Sequence, residues 1–258
     1  MKQESPDQDG NSRRLFSDGL VLLDRIIPKS ETTAMRSALL GALEAETSSE
    51  SDSIYHSDES QGTLYFRSKD GRRRVFWNDY RKAPECIRTF WMHPDLLSLV
   101  SHYVGVRAVP SKILGEWATA AGDTFGEWPD NTWHIDTICD QVKVMLLLQD
   151  TSERNGPMKF LRGSHRVDAM IRNVVVETFR SGYSKAYPGD SWVDGLEQMP
   201  VHCVGTEGTC VVFDTLCLHS ASRCEEGERM ALVAYFDTLP TRKNRALYRI
   251  SKNFGHSI

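Results

Sequence analysis

The stretch TWHIDT, residues 132–137, sets an imidazole and a carboxylate two positions apart, at His134 and Asp136. On an extended strand, positions i and i+2 project from one face; on a helix of 3.6 residues per turn they point about 200° apart. The pair makes chemical sense as a strand end presenting two metal-type ligands to one point. A third ligand has three candidates: His165 in the turn LRGSHR, His202 within PVHCVG, and His219, which ends the strongest β-run of the chain, TCVVFDTLCLH. Ten residues beyond His219 stands Arg229, at the start of RMALVAYF. A hairpin centred on Cys224 would set positions 219 and 229 opposite each other, with Cβ atoms about 4.5–5.5 Å apart. Two histidines and one carboxylate form the facial triad that leaves positions open on non-heme Fe(II). A guanidinium grips a carboxylate through two parallel hydrogen bonds, which a lysine cannot do. A dicarboxylate co-substrate could then chelate the metal at one end and rest its far carboxylate on Arg229.

Together with the sequence between them, these residues resemble the Fe(II)/2-oxoglutarate dioxygenases, specifically the phytanoyl-CoA dioxygenase-like family. The resemblance is carried by WHIDT, by VKVMLLLQDTSERNGPMKFLRGSH and by GTCVVFDTLCLHSASRCEEGERMALVAYF, spanning roughly residues 110–240, and more weakly by FSDGLVLLD. It implies a mainly β protein with flanking helices around a double-stranded β-helix, the jelly-roll or cupin-like core. It implies iron held by His134, Asp136 and His219, with no catalytic side chain beyond those ligands, 2-oxoglutarate anchored by Arg229, and O2 as the second co-substrate. Family members place a small hydroxylated residue beside the arginine-bound carboxylate, and Ser220 and Ser222 both offer one. The implied reaction is hydroxylation of a C–H bond in a small metabolite or natural-product intermediate, with succinate and CO2 as co-products. Halogenating relatives carry Gly or Ala where this chain keeps Asp136, which favours hydroxylation, although desaturation, epoxidation and ring formation use the same triad. Two other classes compete. A jelly-roll metal-binding sensor without turnover would have no need of both an intact triad and Arg229, and a zinc-dependent hydrolase would want an additional general base beside its water.

These residues have to be positioned by the elements around them. Residues 1–13 are polar and expected to be a disordered tail, with a single domain over 14–258 whose jelly-roll core runs over about 108–240. FSDGLVLLD reads as an apolar strand, and SETTAMRSALLGALEAE as a helix with Ser30 as N-cap candidate. Residues 47–62 are a Ser- and acid-rich loop. TLYFRSKDGRRRVFWN reads as two strands around a KDG turn, which would leave the basic run Arg72–Arg74 at a solvated hairpin tip. PECIRTFWMHPDLLSLVSHYVG reads as an amphipathic helix pair. Seven short segments rich in Val, Leu, Thr and aromatics then follow, the pattern of a β-sandwich or jelly roll. One interruption, 167–198, joins a helical DAMIRNVVVETFRSG to a loop holding Tyr183, Tyr187 and Trp192, a composition suited to a lid over the substrate. Within VKVMLLLQ, Lys143 alternates with buried positions, so its ammonium must find a partner or water. His165 reads as structural and Trp133 as a core aromatic.

Composition sets the outer bounds. The chain has 258 residues, 40% hydrophobic and 26% charged, and a net charge of -4, giving no reason to expect nucleic acid or an anionic membrane as partner. A small-molecule substrate is the expected partner, and no oligomeric state follows. No apolar run approaches the roughly 20 residues of a membrane span, and MKQESPDQDGNSRRLF lacks the apolar core of a secretory signal, so the expected location is the cytoplasm. Four of the six cysteines, Cys203, Cys210, Cys217 and Cys224, recur every seven residues. Seven is odd, so along strands they alternate faces; they read as ordinary thiols rather than zinc ligands or disulfides.

Overall fold

The computed structural model describes residues 8–45, 55–58, 63–67, 72–120, 131–136, 141–166 and 200–237. The expected lid over 167–198 and the KDG turn lie outside the described residues. In chain order the elements are α1 (Gln8–Asp18), β1 (Leu20–Leu23), α2 (Lys29–Ala45), β2 (Tyr55–Asp58), β3 (Thr63–Arg67), β4 (Arg72–Trp77), α3 (Glu85–Trp91), α4 (Pro94–Val104), β5 (Pro110–Thr119), β6 (Gln141–Leu147), β7 (Met158–Phe160), β8 (Val201–His202), β9 (Cys210–Asp214), β10 (His219–Ala221) and β11 (Glu228–Asp237). Among the described residues, no helix is long and apolar enough to cross a membrane.

Strands pair antiparallel in two sheets. Eight run in the order β1-β9-β6-β11-β5-β4-β3-β2, and three in the order β10-β7-β8. This is the jelly roll with flanking helices that the sequence implied. The central strands are buried on both faces, which is why they read as near-continuous apolar runs. On β11, Met230, Leu232, Ala234 and Phe236 join the core shared with helices α2 to α4, while Ala231, Val233 and Tyr235 face the space toward the three-stranded sheet. β6 divides likewise, with Val144 and Leu146 toward the helices and Met145 and Leu147 toward the other sheet. Cys203 and Cys217 lie in the inter-sheet core and Cys210 in the helix-side core, but not through alternation along one strand, since Cys203 follows β8, Cys210 opens β9 and Cys217 lies in the turn before β10. Burial pushes the thiols of Cys203 and Cys217 up to about 12, so they are neutral packing groups.

Several expectations are corrected. Residues 8–13, expected to be disordered, belong to α1, because that helix is tied down by Leu15, fully buried in the core, and by Phe16 against Tyr103. Part of the supposed loop 47–62 is the edge strand β2, paired with β3. The run TCVVFDTLCLH is not one strand. Asp214 accepts the Leu216 N–H through Oδ1 at 2.8 Å, and its carbonyl accepts the Cys217 N–H at 2.9 Å, a turn of the kind aspartate favours. That turn carries the chain from β9 in one sheet to β10 in the other. Positions 219 and 229 are therefore not hairpin partners: His219 pairs with Phe160 and Arg229 with Ala118.

Candidate active site

His134 and His219 are brought together by an antiparallel bridge, each backbone N–H donating to the other's carbonyl, at 2.9 and 3.0 Å. Their rings lie side by side, 4.3 Å between centroids. The Asp136 N–H donates to the Thr215 carbonyl at 3.2 Å, so the turn that switches sheets also seats the carboxylate. Tyr103 Oη in turn donates to Asp214 Oδ2 at 2.6 Å and steadies that turn from α4.

Both imidazoles are oriented by the same local device. His134 Nδ1 lies 2.8 Å from the Thr132 carbonyl, and His219 Nδ1 lies 2.8 Å from the Cys217 carbonyl. A carbonyl can only accept, so each Nδ1 carries the hydrogen and each Nε2 is the ligating nitrogen. His219 Nε2 is 3.1 Å from Asp136 Oδ2, and His134 Nε2 is 3.8 Å from Asp136 Oδ1. One ligand atom from each of the three residues falls within 4.8 Å of the others. Phe213 edge-on and Phe160 stacked against His219 wall the ring in. Acceptor atoms aimed at one point repel unless a cation sits among them, and two imidazole nitrogens with one carboxylate suit Fe(II) or zinc. Lys143, on the inter-sheet row of β6, finds the partner its sequence position required: its Nζ is 2.5 Å from Asp136 Oδ2.

The other two candidate histidines are elsewhere. His165 Nε2 lies 3.2 Å from the Phe16 carbonyl, its ring packed where a Cβ on Gly19 would sit, so it fastens the turn after β7 to the end of α1. His202 pairs with Glu153. Among the described residues, His134, Asp136 and His219 form the one cluster with metal-ligand geometry. Trp133 is buried beneath the Lys159 ammonium, a packed aromatic as read.

Arg229 is buried, and its guanidinium donates to Glu116 Oε1 and to the Gly156 carbonyl. Arg74 Nε donates to the other Glu116 oxygen at 2.6 Å, and Arg72 reaches Asn131 Oδ1. Arg72 and Arg74 are buried in this cluster, not at a solvated hairpin tip: β4 pairs with β5 so that Arg74 stands opposite Glu116. Burial pushes the Glu116 carboxyl up, but Arg74, Arg229 and Arg72 outweigh it and hold it well below the ordinary carboxylate range. Arg229 Nε, Ser220 Oγ and Ser222 Oγ are buried polar atoms without a hydrogen-bond partner among the described residues. Ser220 stands opposite Lys159 in the register, one residue from His219 and so on the opposite face of β10, whereas Ala221 shares the His219 face. Glu116 was missed in the sequence; its only signal there is an acid in a strand, SKILGEWAT, whose row through Leu114 and Ala118 is buried.

The cluster makes two predictions. A carboxylate whose folded pKa is depressed adds stability that is fully present above its unfolded value, about 4.3, and is lost as pH falls through the folded value. Thermal midpoints should therefore fall on acidification below about pH 4.3. Glu116→Gln should lower the midpoint at neutral pH and flatten part of that acid limb; an unchanged limb would remove Glu116 from the account. Gly156 has φ 73°, and a Cβ there would come within 2.8 Å of the Cys224 backbone nitrogen. Gly156→Ala should cost about 1–3 kcal/mol in chemical denaturation, and by moving the carbonyl that holds Arg229 it should also disturb that side chain. A fully stable variant would contradict the close approach.

A family model described as phytanoyl-CoA dioxygenase (PhyH) matches residues 16–229. No match is found among the curated proteins. Among solved structures, EctD from S. alaskensis with 2-oxoglutarate and 5-hydroxyectoine superposes with a TM-score of 0.65 at 16% identity, covering 92% of this chain and 78% of that one. The non-heme alpha-ketoglutarate-dependent carbocyclase SnoK from nogalamycin biosynthesis gives 0.59 at 19% identity, covering 93% and 89%. The epimerase SnoN, in complex with Fe3+, alpha-ketoglutarate and nogalamycin RO, gives 0.58 at 16% identity, covering 89% and 83%. At such identities the likeness shows the shared fold.

Proposed function

The chain belongs to the phytanoyl-CoA dioxygenase family, and on that premise we propose that it is a non-heme Fe(II)- and 2-oxoglutarate-dependent oxygenase. In this reading it hydroxylates a C–H bond of a small metabolite or natural-product intermediate and releases succinate and CO2. The observation that carries the proposal is the convergence of His134, Asp136 and His219 on one point, with both Nδ1 hydrogens already committed to backbone carbonyls. Iron chelated by 2-oxoglutarate supplies the activation of O2 and the oxidation of the C–H bond. The protein's part is to hold three coordination positions, leave the rest open, orient the target bond and exclude water.

Arg229 is the proposed anchor for the far carboxylate of 2-oxoglutarate. Its guanidinium is held by the Gly156 carbonyl, and a Cβ on Gly156 would lie 3.0 Å from the carbonyl oxygen of Ser222, three residues along the chain from His219. The Gly156 carbonyl and Glu116 hold two nitrogens of the guanidinium, and Nε, which has no partner among the described residues, is a donor for the incoming carboxylate. Ser220 and Ser222, whose buried Oγ atoms have no hydrogen-bond partner among the described residues, are the two candidate donors beside it. Hydroxylation is favoured over halogenation because Asp136 retains the carboxylate that halogenating relatives lack.

The test is succinate formation from 2-oxoglutarate by enzyme loaded with Fe(II), run across small metabolites and analysed for a hydroxylated product. Succinate with a product heavier by one oxygen supports the proposal. Succinate with a product lighter by two hydrogens would replace hydroxylation by desaturation or cyclisation.

A further inference from the structure

One row of side chains across the larger sheet is not used by the metal or by the proposed 2-oxoglutarate anchor. Tyr235 on β11 stands opposite Lys112 of β5 on one side and Lys143 of β6 on the other. Lys143 is in turn opposite Phe213, whose ring touches His219, so the row lies on the face that carries the metal triad. Both ammoniums rest on the Tyr235 ring, Lys112 at 4.5 Å and Lys143 at 4.3 Å from its centroid. Tyr235 and Lys143 are buried, and Lys143 also reaches Asp136, which sets the row directly beside the metal position. Lys112 is half-buried, near the start of β5.

A half-buried lysine on the inward face of a strand costs side-chain entropy and partial desolvation. Contact with an aromatic ring offsets part of that cost, and no described carboxylate is paired with Lys112 to offset the rest. The two cationic ends of the interior are separate. Arg229 lies six positions before Tyr235 on β11, and Ala231 and Val233 fill the inward positions between them. A dicarboxylate held at the Arg229 end and chelated at the metal leaves the Lys112 ammonium on the metal's other flank.

We propose that Lys112, with Tyr235 and Lys143, docks an oxyanion carried by the substrate, a carboxylate, phosphate or sulfate, so that the bond to be oxidised belongs to an anionic small molecule. The inference rests on the oxygenase reading and adds the substrate's charge to it. The row has the three properties such a subsite needs. Lys112 and Lys143 provide point charges that suit a compact oxyanion, the Tyr235 ring provides an apolar platform for the adjoining carbons, and contact with Asp136 fixes the distance from the metal.

The experiment uses the full chain loaded with Mn(II), a redox-silent stand-in for iron, and saturated with 2-oxoglutarate. Sulfate is titrated in calorimetrically as the probe oxyanion against a chloride control of equal ionic strength. Saturable sulfate binding is expected in the natural sequence, weakened roughly tenfold or more in Lys112→Met, and largely restored in Lys112→Arg. The affinity for 2-oxoglutarate should be alike in all three proteins, which separates a substrate subsite from a co-substrate contact. Absent sulfate binding, binding unchanged in Lys112→Met, or a parallel loss of 2-oxoglutarate affinity overturns the proposal. Failure of 2-oxoglutarate to bind the metal-loaded protein at all overturns the oxygenase reading itself, and the substrate role with it, even where sulfate still binds at Lys112.

Discussion

Replacing His219 by alanine is expected to abolish stoichiometric Fe(II) binding and to lower succinate formation by at least about a hundredfold, because removing a ligand should exceed the 10- to 100-fold typical of losing a ligand's hydrogen-bond partner. The fold should survive. His219 occupies a three-residue strand whose backbone pairs with Phe160 and His134 independently of the ring. His219→Gln, which keeps more of the volume between Phe213 and Phe160, controls for packing loss, and circular dichroism melts check both variants. The matched control is His202→Ala: that ring pairs with Glu153 away from the triad, so metal content and turnover should both be retained. Ordinary iron binding by the His219 variants would show that the metal is held elsewhere.

Arg229→Ala should leave iron content almost untouched while raising the KM for 2-oxoglutarate. Losing a buried charge-assisted contact to a carboxylate costs about 2–4 kcal/mol, or roughly 30- to 1000-fold. Arg229→Lys keeps the charge but loses the fork that reaches Glu116 and the Gly156 carbonyl together, so it should fall between the two. The alanine variant should also lose stability, because one of the cations that hold the Glu116 carboxylate ionised is gone. A stability loss with an unchanged KM would make Arg229 a structural partner of Glu116 and move the anchor to another residue.

The sequence made the chemistry legible wherever it depends on local spacing. His134 and Asp136 are two apart, and strand geometry alone puts both on one face; the long apolar runs of β6 and β11 announced strands covered on both sides. Long-range pairing was not legible. Whether TCVVFDTLCLH continues straight or breaks depends on Asp214 capturing the Leu216 amide, with support from Tyr103, 111 positions away. Without that turn in view, a simple hairpin between His219 and Arg229 was the natural reading, and it was wrong in register: His219 pairs with Phe160 and Arg229 with Ala118. Arg72 and Arg74 looked like a solvated tip for the same reason: their burial is explained by Glu116, more than forty positions on, brought opposite by the pairing of β4 with β5. Lys143 showed that it needed a partner, and Asp136 is seven residues away across a segment with no readable pattern.

The central claim is that His134, Asp136 and His219 hold an iron ion that 2-oxoglutarate completes and O2 then consumes. It is tested most directly by single-turnover reconstitution. Metal-free protein is loaded anaerobically with Fe(II), titrated with 2-oxoglutarate, and then exposed to O2 while succinate is quantified. The account predicts that 2-oxoglutarate binds tightly only after iron is present, and that succinate appears on admission of O2 in amounts following the bound iron. It predicts no succinate with Zn(II) in place of Fe(II), or with the His219→Ala protein. Binding of 2-oxoglutarate indifferent to the metal, with no succinate formed after O2 is admitted to the iron-loaded protein, would contradict it.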